Sequence, residues 1–165
     1  MTNILLILGR LFVILIGYVV AAFAAAAFFN VMMLGAAGFF TDAPPWAVTA
    51  SFAAGIPFVA LITAYYAFVP AMIVIVFTEL LGKRDWLTHA LGGGVVSLVV
   101  MGFLRHLATL RIGDAEGGFT PDTRFTDDPR MAMLLIGTGL IGGIAYWLVA
   151  GNSAGSWKND FNKQR

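Results

Sequence analysis

The sequence predicts an all-α polytopic membrane protein, a single bundle of four transmembrane helices with both termini on the cytoplasmic side. Three observations carry this. Hydrophobic residues make up 59% of the chain and charged residues only 12%, about half the charge share of an ordinary soluble domain. The apolar residues fall into four runs, each long enough for the roughly 20 residues that cross a bilayer. Positive charges gather on the segments that an even number of crossings places on one side. A chain of 165 residues, with mean hydropathy +0.86, is too small to enclose that much apolar surface in its own core, and lipid is the solvent that fits.

The first apolar run extends from Ile4 to Phe40, interrupted by Arg10 and Asn30. It exceeds the roughly 30 Å of hydrocarbon, so part of it tilts or leaves the bilayer. The span is expected at about 11–33, with Arg10 reaching back to the inner headgroups. Ala21–Ala27 offers small-residue cleavage patterns, but no basic segment precedes the run and its apolar length suits a span better than a signal peptide.

Thr41-Asp42-Ala43-Pro44-Pro45 reads as a helix start, with proline tolerated in the first turn, and Trp46 suits the interface. The second run, Ala47 to Leu81, contains Pro57 and Pro70. Residues 47–55 are expected as an interfacial or tilted lead-in and about 56–78 as the crossing. After the basic turn Gly82-Lys83-Arg84-Asp85, a third span is expected at about 86–106. A polar outer loop follows at about 110–130, ending in Thr126-Asp127-Asp128-Pro129, a cap for the fourth helix. The fourth span is placed at about 131–150, which closes the domain 1–150, and residues 151–165 form a polar cytoplasmic tail.

Orientation follows from the charges. Arg10, Lys83, Arg84, Lys158, Lys163 and Arg165 share one side, which the positive-inside rule makes cytoplasmic. Asp42, Asp114, Glu116, Asp122, Asp127 and Asp128 lie on the other.

Lipid gives helices no hydrophobic reason to associate, so close packing falls to small residues. Gly17, Ala21 and Ala25 recur every fourth residue in the first helix. Ala90 with Gly94, and Gly93 with Ser97, do so in the third, and Gly139 with Gly143 in the fourth. These stripes serve either packing within one bundle or self-association.

Candidate chemistry is sparse. Glu79 and Lys83 have the acid-first i,i+4 spacing of a helical ion pair, and Asp85 and His89 repeat it. Arg105 and His106 stand at the outer end of the third helix and could hold an anionic headgroup. Arg10, Glu79, Lys83, Arg84, Arg105 and His106 are therefore the candidate lipid or anion contacts. Tyr65 and Tyr66, with Ser97 and Thr138, are expected to form a central polar layer, since hydroxyls in hydrocarbon seek each other. Asn30 suits a structural hydrogen bond. The outer loop lacks the ligand spacing of a calcium loop. Zero cysteines exclude disulfide and thiol chemistry. A net charge of +1 gives no basic face for nucleic acid. No cofactor or metal site is expected, and no nucleophile-and-base motif appears.

The stretch from Phe68-Val69-Pro70-Ala71 through Glu79, the basic turn and the glycines Gly92 to Gly94 together resemble small uncharacterised four-helix inner-membrane proteins of alphaproteobacteria. The resemblance implies a bacterial inner-membrane location and brings no activity with it. The expected role is a non-catalytic membrane subunit, an accessory, scaffold or assembly component of a larger complex. Its partners would be the lipid bilayer and other membrane subunits or further copies of itself. The alternative is a small homo-oligomeric pore or facilitator for a neutral or lipid-like solute.

Overall fold

The computed structural model describes residues 2–113 and 128–155. The outer-loop acids Asp114, Glu116, Asp122 and Asp127 and the tail beyond Gly155 lie outside the described residues. The described chain is helical, without strands. It comprises α1 (Thr2–Ala36), the single turn α2 (Phe39–Asp42), α3 (Pro45–Leu81), α4 (Trp86–Gly113), α5 (Pro129–Val149) and a 3-10 turn (Gly151–Ser153). Four segments are long and apolar enough to cross a membrane: Ile7–Ala36, Pro45–Leu81, Trp86–Leu107 and Pro129–Val149.

The breaks between helices have local causes. Gly38 takes a left-handed φ of 70° and directs the chain into α2. Pro44 and Pro45 open α3, where the proline N–H is not needed. Gly82, at φ 64°, ends α3 with its N–H on the Glu79 carbonyl while the Lys83 N–H reaches the Thr78 carbonyl, the pattern of a left-handed helix stop. Asp85 begins α4 by accepting from the Thr88 N–H and hydroxyl, both at 3.0 Å. Asp128 does the same for α5, accepting from the Arg130 N–H, with Pro129 in the first turn.

α3 is one continuous helix from Pro45, and residues 47–55 are its first turns, not a separate segment. It passes through Pro57 and Pro70, each of which withdraws a donor from the carbonyl four residues earlier. At 37 residues it is about 55 Å long, well over the hydrocarbon thickness.

Side-chain contacts fix the arrangement. Arg10 meets Glu79, and a Cβ at Gly55 would touch Asn30 at 2.8 Å, so α1 and α3 are antiparallel neighbours. Val74 faces Gly92 and Tyr66 faces Phe103, which makes α3 and α4 antiparallel as well. α5 runs against both α1 and α4, with Gly137 on Phe28, Gly142 on Ala21 and Ala25, and Gly139 on Ser97. The helices thus form a ring in the order α1, α3, α4, α5.

The tightest seam is α4 on α5. A Cβ at Gly93 would run into the Gly139 carbonyl, one at Gly139 into Gly93 and Ser97, and one at Gly143 into the His89 carbonyl and Ala90. Only the missing side chains let the two backbones approach so far. On α1, Gly17 lies under Ala150 and the Tyr146 ring. The small residues Gly17, Ala21, Ala25, Ala90, Gly93, Gly94, Ser97, Gly139 and Gly143 all lie between helices of one chain.

Candidate functional site: a polar node under an apolar cleft

Four polar side chains, one from each long helix, sit at the end of the ring where α3 turns into α4. They are Arg10 on α1, Glu79 on α3, His89 on α4 and Tyr146 on α5. Glu79, His89 and Tyr146 are only 8%, 3% and 5% exposed, and a buried charge needs a partner. Arg10 supplies it, pairing with Glu79 through Nη2. Nη2 also donates to the Ala150 carbonyl at 3.0 Å, and Nη1 donates to Ser153 Oγ at 2.6 Å.

The turn after α5 closes this end. Glu79 Oε2 accepts the Gly155 N–H at 3.0 Å, and Arg84 Nε donates to the Ala154 carbonyl at 3.0 Å. Trp147 Nε1 donates to the Arg84 carbonyl at 2.7 Å. Gly155, at φ 70°, lies so near Gly82 that a Cβ would stand 2.8 Å from the Gly82 Cα. Residues 150–155 are therefore a strap, tied to α1, α3 and the α3–α4 turn.

His89 stacks on Tyr146 with ring centroids 5.7 Å apart and 26° between planes. A Cβ at Gly151 would lie 2.8, 2.9 and 3.1 Å from Nε2, Cδ2 and Cε1. Near-equal distances put Gly151 over a face of the imidazole, not at its edge. Nδ1 lies 2.9 Å from the Asp85 carbonyl. A carbonyl can only accept, so Nδ1 carries a hydrogen toward Asp85. Arg10 Nε, His89 Nε2 and the Tyr146 hydroxyl are buried without a hydrogen-bond partner among the described residues, and each such atom calls for an explanation.

Above the node lies a cleft of about 400 Å³ among the four helices, within the roughly 300–1,000 Å³ of small-molecule sites. Its walls are mainly apolar and small, with Ala22, Ala25, Ile75, Val96, Val100 and Leu104 among them, and His89 and Tyr146 are also lining residues. Thr78 and Thr138 turn their hydroxyls away, onto the Ile75 and Leu134 carbonyls. Tyr18 spans from α1 to α3 and donates to the Ala64 carbonyl at 2.5 Å.

No protein-family model, curated protein or solved structure matches this chain. The site has to be read from its own geometry.

Several of the residues singled out from sequence take different places from those expected. Glu79 faces Arg10 and not Lys83, because an arginine from a neighbouring helix reaches it inside the bundle. Arg10, expected at the headgroups, is held within the protein by Glu79, Ser153 and Ala150. Lys83 and Arg84 are exposed at the node end, and Arg105 and His106 are exposed on α4 at the opposite end. Of the four hydroxyl residues expected in one layer, Tyr66, Ser97 and Thr138 line the cleft and Tyr65 does not. Tyr65 is 77% exposed on the outer face of α3. Tyr66 lies by Phe103, with centroids 6.5 Å apart, about 9 Å along α4 from Ser97 at 1.5 Å per residue. Adjacent residues on a helix point about 100° apart; the Tyr65 and Tyr66 rings touch edge to face, with centroids 5.3 Å apart, and of the two only Tyr66 lines the cleft. Ser97 and Thr138 do line the cleft with Tyr66. Asn30 donates to the Ala26 carbonyl of its own helix at 2.8 Å. Tyr146 and the strap had no sequence signal beyond a tyrosine near a helix end. Among the described residues no group of three or more His, Asp or Glu side chains could hold a metal ion.

Proposed function

We propose that the chain is a non-catalytic multi-pass protein of the bacterial inner membrane, with both termini cytoplasmic, that binds an apolar, lipid-like molecule in the cleft. The observation that carries this reading is the cleft itself: about 400 Å³ of mainly apolar space inside a bundle whose α4–α5 seam is packed to backbone contact. Interiors pack densely and leave few voids larger than a water molecule. A space of this size between membrane helices suits a hydrocarbon chain drawn from the surrounding bilayer. The non-catalytic part rests on the sequence, which carries no nucleophile-and-base motif.

Native mass spectrometry of protein gently extracted from its own membrane tests this. Wild-type chain is expected to retain about one lipid-like adduct, and Val100→Trp, which fills the cleft, is expected to lose it. Identical adduct patterns in the two proteins would reject the reading.

One observation favours a subunit role alongside ligand binding. Tyr65 exposes its side chain on the outer face of α3, among Leu61, Phe68 and Val69. A hydroxyl in hydrocarbon without an acceptor is costly, and a neighbouring subunit's helix would supply one. The same spectra report this as a repeating mass containing a second chain.

A further inference from the structure

We propose that the cleft is filled by one linear acyl chain of a bilayer phospholipid. The chain enters tail-first through a mouth between α3 and α4, in the leaflet remote from the node, and the headgroup stays outside. This rests on the reading of the cleft as a lipid-binding site and adds the route and the shape of the occupant.

Exposure locates the mouth. Among the described lining residues, Ile62, Tyr66 and Leu104 alone are exposed, at 41%, 37% and 37%. Two stand on α3 and one on α4. The lining side chains of α1 and α5 are buried or half-buried. α3 and α4 also touch least of the four neighbouring pairs in the ring. Their seam is sealed towards the node, where a Cβ at Gly92 would stand 2.7 Å from Val74 Cγ1. Between that seal and the mouth, Ala67 and Ala71 line α3 with nothing larger than a methyl group. The Tyr66–Phe103 ring contact puts Tyr66 level with Leu104, and Ile62 lies about one turn further out.

Depth fixes which part of the lipid sits there. Leu104 is within one helical turn of Leu107, the end of the apolar segment of α4, so the mouth opens about 5 Å beneath the headgroups. Inward of it the walls are mainly apolar, and a charged headgroup drawn inside would lose its water without compensation. Shape selects a chain over a compact molecule. Lining residues extend about 16 Å along α1, from Tyr18 to Phe29, and about 22 Å along α4, from His89 to Leu104. A compact cavity of about 400 Å³ would span little more than half the shorter distance. Lipid tails are as apolar as the walls, so the driving force is the void, whose lining gains contacts when a chain fills it.

The test uses the full chain in phosphatidylcholine nanodiscs. They carry a phosphatidylcholine with a diazirine either at the tip of one chain or beside its ester, and peptide mass spectrometry maps the labelled residues. Ile75 and Thr78 are buried and line the cleft near the node, so only a chain inside reaches them. The tip probe is expected to label both and the ester-side probe neither. Leu104→Trp, which narrows the mouth, is expected to lower tip labelling about tenfold, the effect of leaving about 60 Å³ of cleft unfilled. Ile141→Trp, at an equally exposed α5 position outside the cleft, should leave it unchanged. Stronger labelling of Ile75 and Thr78 by the ester-side probe overturns the proposal, because the chain then enters from the node end. Full tip labelling in Leu104→Trp, with loss in Val100→Trp, also overturns it and moves the entrance to another seam. If neither probe labels a buried lining residue, the lipid-binding reading itself fails.

Discussion

At the scale of single residues, the Arg10–Glu79 pair governs how the four helices meet. Both side chains are nearly enclosed, so removing either charge leaves the other buried and unmatched, which typically costs about 3–5 kcal/mol. Arg10→Met or Glu79→Gln should therefore lower the thermal unfolding midpoint in mild detergent sharply, while Lys83→Ala should scarcely move it. Equal effects at Glu79 and Lys83 would argue for a local pair on α3. The acid-first spacing from Glu79 to Lys83 describes one helix only, whereas the true partner is 69 positions away in the chain. No local pattern encodes that meeting, which depends on the register between α1 and α3. His89 and Tyr146 were equally hidden: a histidine and a tyrosine 57 positions apart become a pair only once α4 and α5 are docked. Asp85 was legible in its turn but not in its role. The Thr88 N–H, and after it the Thr88 hydroxyl, hold its carboxyl below the usual carboxylate range. A carboxyl lowered in the folded state contributes stability that is full above its unfolded pKa and lost as pH falls through the folded one. The unfolding midpoint should therefore fall between about pH 4 and more acidic values, and Asp85→Ala should shrink that part of the dependence.

At the scale of elements, the seam between α4 and α5 sets how tightly the bundle closes. Gly93→Ala, Gly139→Ala and Gly143→Ala each place a methyl group against opposing backbone, and backbone cannot swing aside as a side chain can. Overpacking of this kind costs about 1–3 kcal/mol. Gly102→Ala meets nothing within 4 Å and is the control, expected to be neutral or slightly stabilising. Detergent unfolding of the four variants separates packing from loss of glycine as such. Much at this level could be read from the chain, because its cues are local. Helix starts at Pro44-Pro45 and Asp128-Pro129, the stop at Gly82 and the four-residue spacing of small side chains all appear in the structure. The boundary inside α3 could not be read so well. Residues 47–55 are expected as an interfacial or tilted lead-in to the crossing, and the helix runs unbroken through them and through Pro57 and Pro70, since hydrogen bonds along most of its 37 residues outweigh two missing donors.

At the scale of the whole molecule, the ring order puts two chemically different ends on the bundle. Arg10, the Lys83-Arg84 turn and the strap 150–155 share one end; Asp42 and Asp128 share the other. Lysines and arginines near helix ends are retained on the cytoplasmic side during insertion, so the node end should be cytoplasmic and the cleft should terminate just beneath the inner headgroups. The chain has no cysteine, so single substitutions report their own exposure without background. Asp42→Cys and Asp128→Cys should react in intact spheroplasts with a membrane-impermeant maleimide. Lys83→Cys should react only after the membrane is opened. All three positions are exposed and lie outside the densely packed seams, so each thiol is open to the reagent; Asp128→Cys also removes the α5 cap, a loss of about 1 kcal/mol. Labelling in the opposite sense would place the node at the periplasmic face. Labelling of all three from outside contradicts a crossing by α3, because Asp42 and Lys83 flank that helix.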